Sequence, residues 1–278
     1  VAIMSTDTDV GTLLRDWRRR VKLTQGELAQ RATTSARHLS FVETGRSRPS
    51  RDLVLRLADC LEIPLRQRNT LLVAAGYSPS FQETPLEAPR LKIVREAMDR
   101  ILGAHAPYPA LAVDADENIA AMNIGTELLL RDVSPELLEP PLNVMRLCLH
   151  PEGLVRQVVN HEEWRGHLIG RLYRQAIYSG RESLRELYDE VSAYWPDAAK
   201  SGGGHDLSDT IVASIRVRGL GTELRLFSTI ATFGAATDIT VAELSLETMH
   251  PADEQTAAAF ETAAAERLGR QDTESPGR

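Results

Sequence analysis

The amino-acid sequence predicts two domains of different class: an all-α N-terminal domain of five helices built around a helix-turn-helix, and an α+β C-terminal domain with an antiparallel sheet. Three observations predict this. Over residues 11–76, apolar residues recur at three- and four-residue spacing between polar caps, which is the period of amphipathic helices. Three prolines between Gly76 and Arg90 then interrupt regular structure and mark a linker over 77–90. Beyond it, over 91–270, two strand-like runs, a long helical stretch and three more strand-like runs follow in order, the succession expected of helices segregated from an antiparallel sheet. At 278 residues the chain is long enough to bury two cores.

In the first domain, Leu13, Leu14, Trp17 and Val21 stripe one side of a helix over Thr12–Lys22, while Arg15, Arg18, Arg19, Arg20 and Lys22 load the other. Thr24 caps a second helix that turns Leu28 and Ala29 inward and places Gln25 in its first turn, where amide donors meet a phosphate. Ala32, Thr33 and Thr34 form the connection. Ser35 caps the third helix, whose buried side carries Leu39 and Val42, leaving Ala36, Arg37, His38, Ser40 and Phe41 outward. Gly45 suits a helix end, Pro49 blocks continuation, and Ser50 caps a fourth helix bearing Leu53, Val54, Leu57, Ala58 and Leu61. Arg46 and Arg48 thus fall on a loop within reach of a phosphate backbone. Pro64 opens a fifth helix running to about Ala75.

The net charge of −7 is unevenly spread. Residues 1–80 carry 13 Lys and Arg against 8 Asp and Glu, and the remainder 19 against 31. A basic helical domain joined to an acidic one is the distribution expected when only the first meets a polyanion. No apolar run reaches membrane-spanning length and the opening residues lack a signal-peptide pattern, so a cytoplasmic protein without a membrane partner is expected. Cys60 and Cys148 each sit among leucines, as buried free thiols do.

In the second domain a helix is predicted over Pro89–Leu102. Leu111 and Val113 then alternate in a strand, Asp114–Asn118 turn, and Ile119–Asn123 return. Helices are predicted over Gly125–Arg131, Asn143–Leu149, His161–Ser179 and Glu182–Tyr194, with Ser201–Asp206 a flexible connection. Strands over Thr210–Arg218, Thr222–Phe233 and Val241–Met249 close the domain, with Gly219–Gly221 turning between the first two. In the third, Leu244, Leu246 and Thr248 alternate with Glu243, Ser245 and Glu247, so one face is expected buried and the other wet. An alanine-rich helix over Asp253–Leu268 ends the domain.

His150, Glu152, His161, Glu162, Glu163 and His167 lie close enough in sequence to raise a metal or catalytic site. His161 and His167 are six residues apart and do not share a helix face. Arg165 stands where an HExxH motif would need its second histidine, the glycine run lacks the Lys-Ser/Thr of a phosphate loop, and no nucleophile elbow occurs. The expectation is a non-enzyme with no catalytic residue, no metal and no required cofactor. Arg146, Arg156 and Arg165 lie beside Val144, Leu147, Leu154 and Trp164; they suit ordinary surface salt bridges to the abundant carboxylates, or else one of them, with Asn143 or Asn160, the polar head of an apolar ligand.

The stretch from Leu23 to Glu43 resembles the Xre/Cro-type helix-turn-helix superfamily through Thr24-Gln25, Ala32, Ser35 and Val42-Glu43. Thr33 stands where that superfamily often has glycine, so a slightly different turn backbone is expected. Across residues 11–260, the segments RHLSFVETGRSRPSRDLVLRLAD, RNTLLVAAGY, PYPALAVD, LNVMRLCLHPEGL, VNHEEW, ELRLFSTIATFG and AELSLETMHP are similar, in this order, to the MmyB-like transcription regulators. The resemblance implies a DNA-binding domain followed by a PAS-like ligand-binding domain, and the predicted strand order agrees with a PAS fold. Pattern and resemblance together give the expectation of a homodimer that reads a near-palindromic operator in double-stranded DNA. The residues expected at the DNA are Gln25, Ser35, Ala36, Arg37, His38, Ser40, Phe41, Arg46 and Arg48. A small apolar or fatty-acid-like ligand is expected at Asn143, Arg146, Asn160, Trp164, Arg165 and Phe227. The alternative is a second domain that only dimerises or recruits a partner.

Overall fold

The computed structural model describes residues 9–195 and 214–274. Two compact units are present: residues up to Ala88 together with Gly234–Ala242, and Pro89–Phe233 together with the chain from Glu243 onward.

The first unit holds α1 (Val10–Arg20), α2 (Gln25–Arg31), α3 (Ala36–Glu43), α4 (Arg51–Cys60) and α5 (Leu65–Ala74). Leu14, Leu28, Leu39, Val54, Leu57 and Leu72 are fully buried in its core. The predicted caps are in place at Thr24, Ser35 and Ser50, each side-chain oxygen accepting from the backbone of the first turn. Helix α1 begins two residues earlier than predicted because the Asp9 carboxylate accepts from the Gly11 amide at 3.1 Å. All five helices end alike. Lys22, Thr33, Gly45, Glu62 and Gly76 each take a left-handed backbone with φ of 56°, 53°, 72°, 51° and 76°. The next amide then folds back to a carbonyl five residues earlier: Leu23 to Arg18, Thr34 to Ala29, Arg46 to Phe41, Ile63 to Ala58 and Tyr77 to Leu72. This satisfies the orphan carbonyls of each last turn. The turn at Thr33 therefore keeps the conformation glycine would adopt, contrary to the expectation of a different one.

In the second unit a 3-10 turn (Pro89–Leu91) leads into α6 (Lys92–His105), then β1 (Ala110–Val113), β2 (Ile119–Met122), α7 (Ile124–Leu130), α8 (Val144–Leu149), α9 (His161–Ser179) and α10 (Glu182–Ala193). Beyond the segment outside the described residues come β3 (Ser214–Gly219), β4 (Thr222–Thr232), α11 (Ile239–Glu243), β5 (Ser245–Pro251) and α12 (Glu254–Glu274). The predicted connection Ser201–Asp206 and the first four residues of the predicted strand from Thr210 lie outside the described residues. All strand pairs are antiparallel, in the order β2-β1-β5-β4-β3. Leu220 and Gly221, both at positive φ, make the two-residue β3–β4 turn. The edge of β3 is covered: Val159 donates to the Arg216 carbonyl at 2.7 Å and Arg218 to that of Gln157 at 2.9 Å.

Leu111, Val113, Leu224, Leu226 and Met249 line the sheet face that packs on Leu147, Trp164, Leu168, Leu172, Leu187 and Phe260 from the helices. Alternation sends Ala110, Ala112, Phe227 and His250 to the opposite face, against which α6 packs. Two expectations for the last strand are corrected. Residues 239–243 form the short helix α11, so β5 starts at Ser245. Glu247 was expected to be wet, yet it is buried, because β5 is the central strand and its partner Leu111 lies on the helix-covered face.

Candidate functional site

Helix α3 has two chemically separate sides. Leu39, Val42 and Glu43 are buried, whereas Ala36 and Arg37 are exposed and Ser40 is half-buried. Ser35 is committed to capping, accepting from the His38 amide at 3.0 Å. The Arg37 guanidinium lies over the Phe41 ring, 5.4 Å from its centre, a cation–π contact between two residues of the same helix. Arg46 is exposed just beyond the helix end.

The sequence reading missed what holds this helix. Arg18 of α1 pairs with Glu43 through two hydrogen bonds, Nε to Oε1 at 2.6 Å and Nη2 to Oε2 at 2.8 Å, and its Nη1 donates to the Leu23 carbonyl at 2.8 Å. Gln25 of α2 donates from its amide to the same carboxylate at 2.8 Å. One buried Glu43 carboxylate thus joins all three helices. Burial alone would push the Glu43 carboxyl up, but the hydrogen bonds from Arg18 and Gln25 and the Arg18 charge outweigh it and hold it below the ordinary carboxylate range. Two expectations change as a result. Gln25 turns its amide inward, so its side chain is not aimed at a phosphate, and Arg18 leaves the solvated arginine face of α1.

Arg48, expected at the phosphate backbone, makes its contacts within the fold. Its Nε donates to the Ala75 carbonyl at 2.8 Å and its Nη2 to that of Gly76 at 3.0 Å, while the guanidinium packs over the Tyr77 ring. It closes the end of α5. A Cβ on Gly76 would meet Arg48 Nη2 at 2.4 Å, so glycine is required there twice over, for space and for φ.

In the second unit, most residues expected around a ligand head have structural partners. Asn143 caps α8, its Oδ1 accepting from Met145 and Arg146 and its Nδ2 donating to the Asp116 carbonyl at 2.9 Å. Asn160 clamps β3, donating to the Ser214 carbonyl at 2.8 Å and accepting from the Arg216 amide at 2.9 Å. Arg146 makes two hydrogen bonds to Glu190, at 2.8 and 2.7 Å, and Arg165 lies over Trp195. Phe227 is on the opposite sheet face, stacked on His250 with ring centres 5.1 Å apart. Trp164 alone among the six faces the core with an unmet need: its indole Nε1 is buried and lacks a partner.

The polar feature of this interior is one the sequence reading passed over. Arg171, two turns along α9 from Trp164, reaches Glu117 of the β1–β2 turn and Glu247 of β5, each at 3.3 Å. Its Nε is buried without a partner. Burial pushes the Glu117 carboxyl up despite the neighbouring Arg171 charge. Buried Cys148 is pushed up to about 12 by its burial, with Glu247 adding to the effect. His167, stacked on Trp164 between them, is held below its ordinary value by burial and by Arg171. Glu117 has φ of 63°, a position no sequence pattern marked. Helix period three-to-four spacing of Trp164, His167 and Arg171 was the available signal.

A surface groove of 520 Å³ lies between Arg131, Leu220, Thr222 and the Ala259–Ala263 side of α12, away from every predicted residue. Among the described residues no group of three or more His, Cys, Asp or Glu could hold a metal ion, and no helix is long and apolar enough to cross a membrane.

Residues 9–71 match a helix-turn-helix domain family, and residues 94–263 match the family described as the MmyB-like transcription regulator ligand binding domain. No curated protein matches the chain.

Proposed function

From the fact that the chain belongs to the MmyB-like transcription regulators, we propose that it is a cytoplasmic, sequence-specific DNA-binding regulator that acts as a homodimer and senses a small apolar, fatty-acid-like molecule. The observation that carries the DNA reading is the division of α3, whose inner side is locked by Glu43 while Arg37, Ala36 and Ser40 stand outward. Two such helices about 34 Å apart would read the half-sites of a near-palindromic operator. Arg37, steadied on Phe41, suits a bidentate guanine contact worth about 1–3 kcal/mol of discrimination. Selection from random duplexes followed by titration tests this. Arg37→Ala should narrow the gap between selected and scrambled DNA by that amount, and an unchanged gap would remove its base-reading role.

Ligand sensing is supported by two buried donors without partners on one helix, Trp164 Nε1 and Arg171 Nε. Donors ask for an acceptor, and a carboxylate supplies two. Each methylene buried behind such a head would add about 0.8 kcal/mol. Mass spectrometry of denatured, purified protein should release an apolar acid; consistently empty protein would favour a second domain that serves dimerisation alone.

A further inference from the structure

The connection between β4 and β5 leaves its own sheet. Thr232 and Ser245 are paired neighbours, and a tight turn of about two residues suffices to join antiparallel strands. Residues 233–244 stand between them instead, and of these Gly234–Ala242 belong to the first unit. Their anchor is Asp238, only 6% exposed. Its carboxylate accepts from the Thr84 amide at 3.3 Å, the Thr84 hydroxyl at 2.6 Å and the Thr240 amide at 3.0 Å. The Ile239 amide donates to the Gln82 carbonyl at 2.8 Å, and Ile239 and Val241 are buried.

The strip that receives this connection is itself fastened to α5. Asn69 accepts from the Ser80 and Phe81 amides at 2.9 and 3.1 Å and donates to the Phe81 carbonyl at 2.7 Å, while Arg66 pairs with Glu83. Helix α5 packs on α1 and α4. In the other direction the connection runs directly into β5, where Glu247 meets Arg171. The chain therefore passes between the units at 88–89, 233–234 and 242–243, and the last two passages flank one buried carboxylate.

We propose that Asp238 is a positioning residue, clasping the β4–β5 connection to the helical unit so that a displacement of β5 is handed to α5 and the bundle that carries α3. This rests on the regulator reading for its purpose, but not for its test. Coupling of this kind needs a continuous set of contacts with differential strain at its two ends, and the Asp238 carboxylate supplies the side-chain hydrogen bonds that tie the connection to Thr84.

Hydrogen–deuterium exchange on the full chain tests it without DNA or ligand. Glu247→Gln weakens the contact to Arg171 and so disturbs β5. In an otherwise native chain it should change exchange of the amides over 80–84 by about threefold or more, and in an Asp238→Ala background it should change them no further. Asp238→Asn, which keeps an acceptor for the Thr84 and Thr240 amides, should restore the response. Should Asp238→Ala fail to fold, Thr84→Val removes the hydroxyl bond alone and should diminish the same response. A Glu247→Gln effect that is absent from the native background, or equal with and without Asp238, overturns the proposal and leaves DNA binding untouched; loss of DNA selectivity would leave the exchange result standing.

Discussion

Glu43 shows how much a single side chain can decide. Removing a buried partner leaves the other charge uncompensated, so Glu43→Ala should cost about 3–5 kcal/mol in denaturant unfolding. Because its native carboxyl is held below the ordinary range, the stability it contributes is present above that range and is lost as pH falls through the depressed native value. Glu117 has the opposite sign. Its native carboxyl is raised, so its contribution is present below the ordinary carboxylate range and is lost as pH rises through the raised value. Glu117→Gln should therefore gain on the native chain as pH rises, by on the order of 1 kcal/mol in paired unfolding titrations. Neither role was legible from sequence. Glu43 was visible as the end of a motif and Arg18 as one of five basic residues, but nothing in their spacing of 25 positions announces a pair. Glu117 and Glu247 looked like ordinary turn and strand-face carboxylates because the arginine that draws them inward is 54 and 76 residues away.

Helices and strands were far more legible than their contacts, because caps and period are local. Thr24, Ser35 and Ser50 announced three helix starts, and α9 occupies the predicted span. Helix ends were harder to see. Gly45 marked one of the five left-handed ends, while those at Lys22, Thr33, Glu62 and Gly76 went unread. A β-branched residue at positive φ is strained, so Thr33→Gly should raise stability by about 1 kcal/mol, read from the unfolding midpoint. Gly11 makes the converse case. Glycine to alanine inside a helix ordinarily gains about 1 kcal/mol, but here a Cβ would stand 2.2 Å from the Val42 carbonyl at the end of α3. Gly11→Ala should lower the midpoint and shift DNA affinity with it. Strand β5 was misjudged at its start and in its wet face because alternation reports which residues share a face, not whether the face is covered.

At the scale of the molecule, the charge asymmetry between residues 1–80 and the rest was readable directly, and it assigned DNA binding to the correct end of the chain. Folding back of the β4–β5 connection was not, since a run such as FGAATDIT carries no sign of the distant Thr84 it meets. The salt dependence of DNA binding should come from arginines whose guanidinium is not spent on carbonyls of the fold, as Arg48 is. Each phosphate contact contributes about −0.9 to the slope of log affinity against log salt. Arg46→Ala should flatten that slope by about one contact, whereas Arg48→Ala should leave the slope alone and reduce stability, because Arg48 is spent on the carbonyls of Ala75 and Gly76.

The two-sided construction of α3 has an evolutionary consequence. Ala36, Arg37 and Ser40 make no hydrogen bond through their side chains to the body of the fold among the described contacts, while Leu39, Val42 and Glu43 carry its anchorage. Descendants of this chain can therefore exchange the first set and inherit the second intact, changing the outward face of α3 by a few substitutions without first having to be rebuilt as stable proteins.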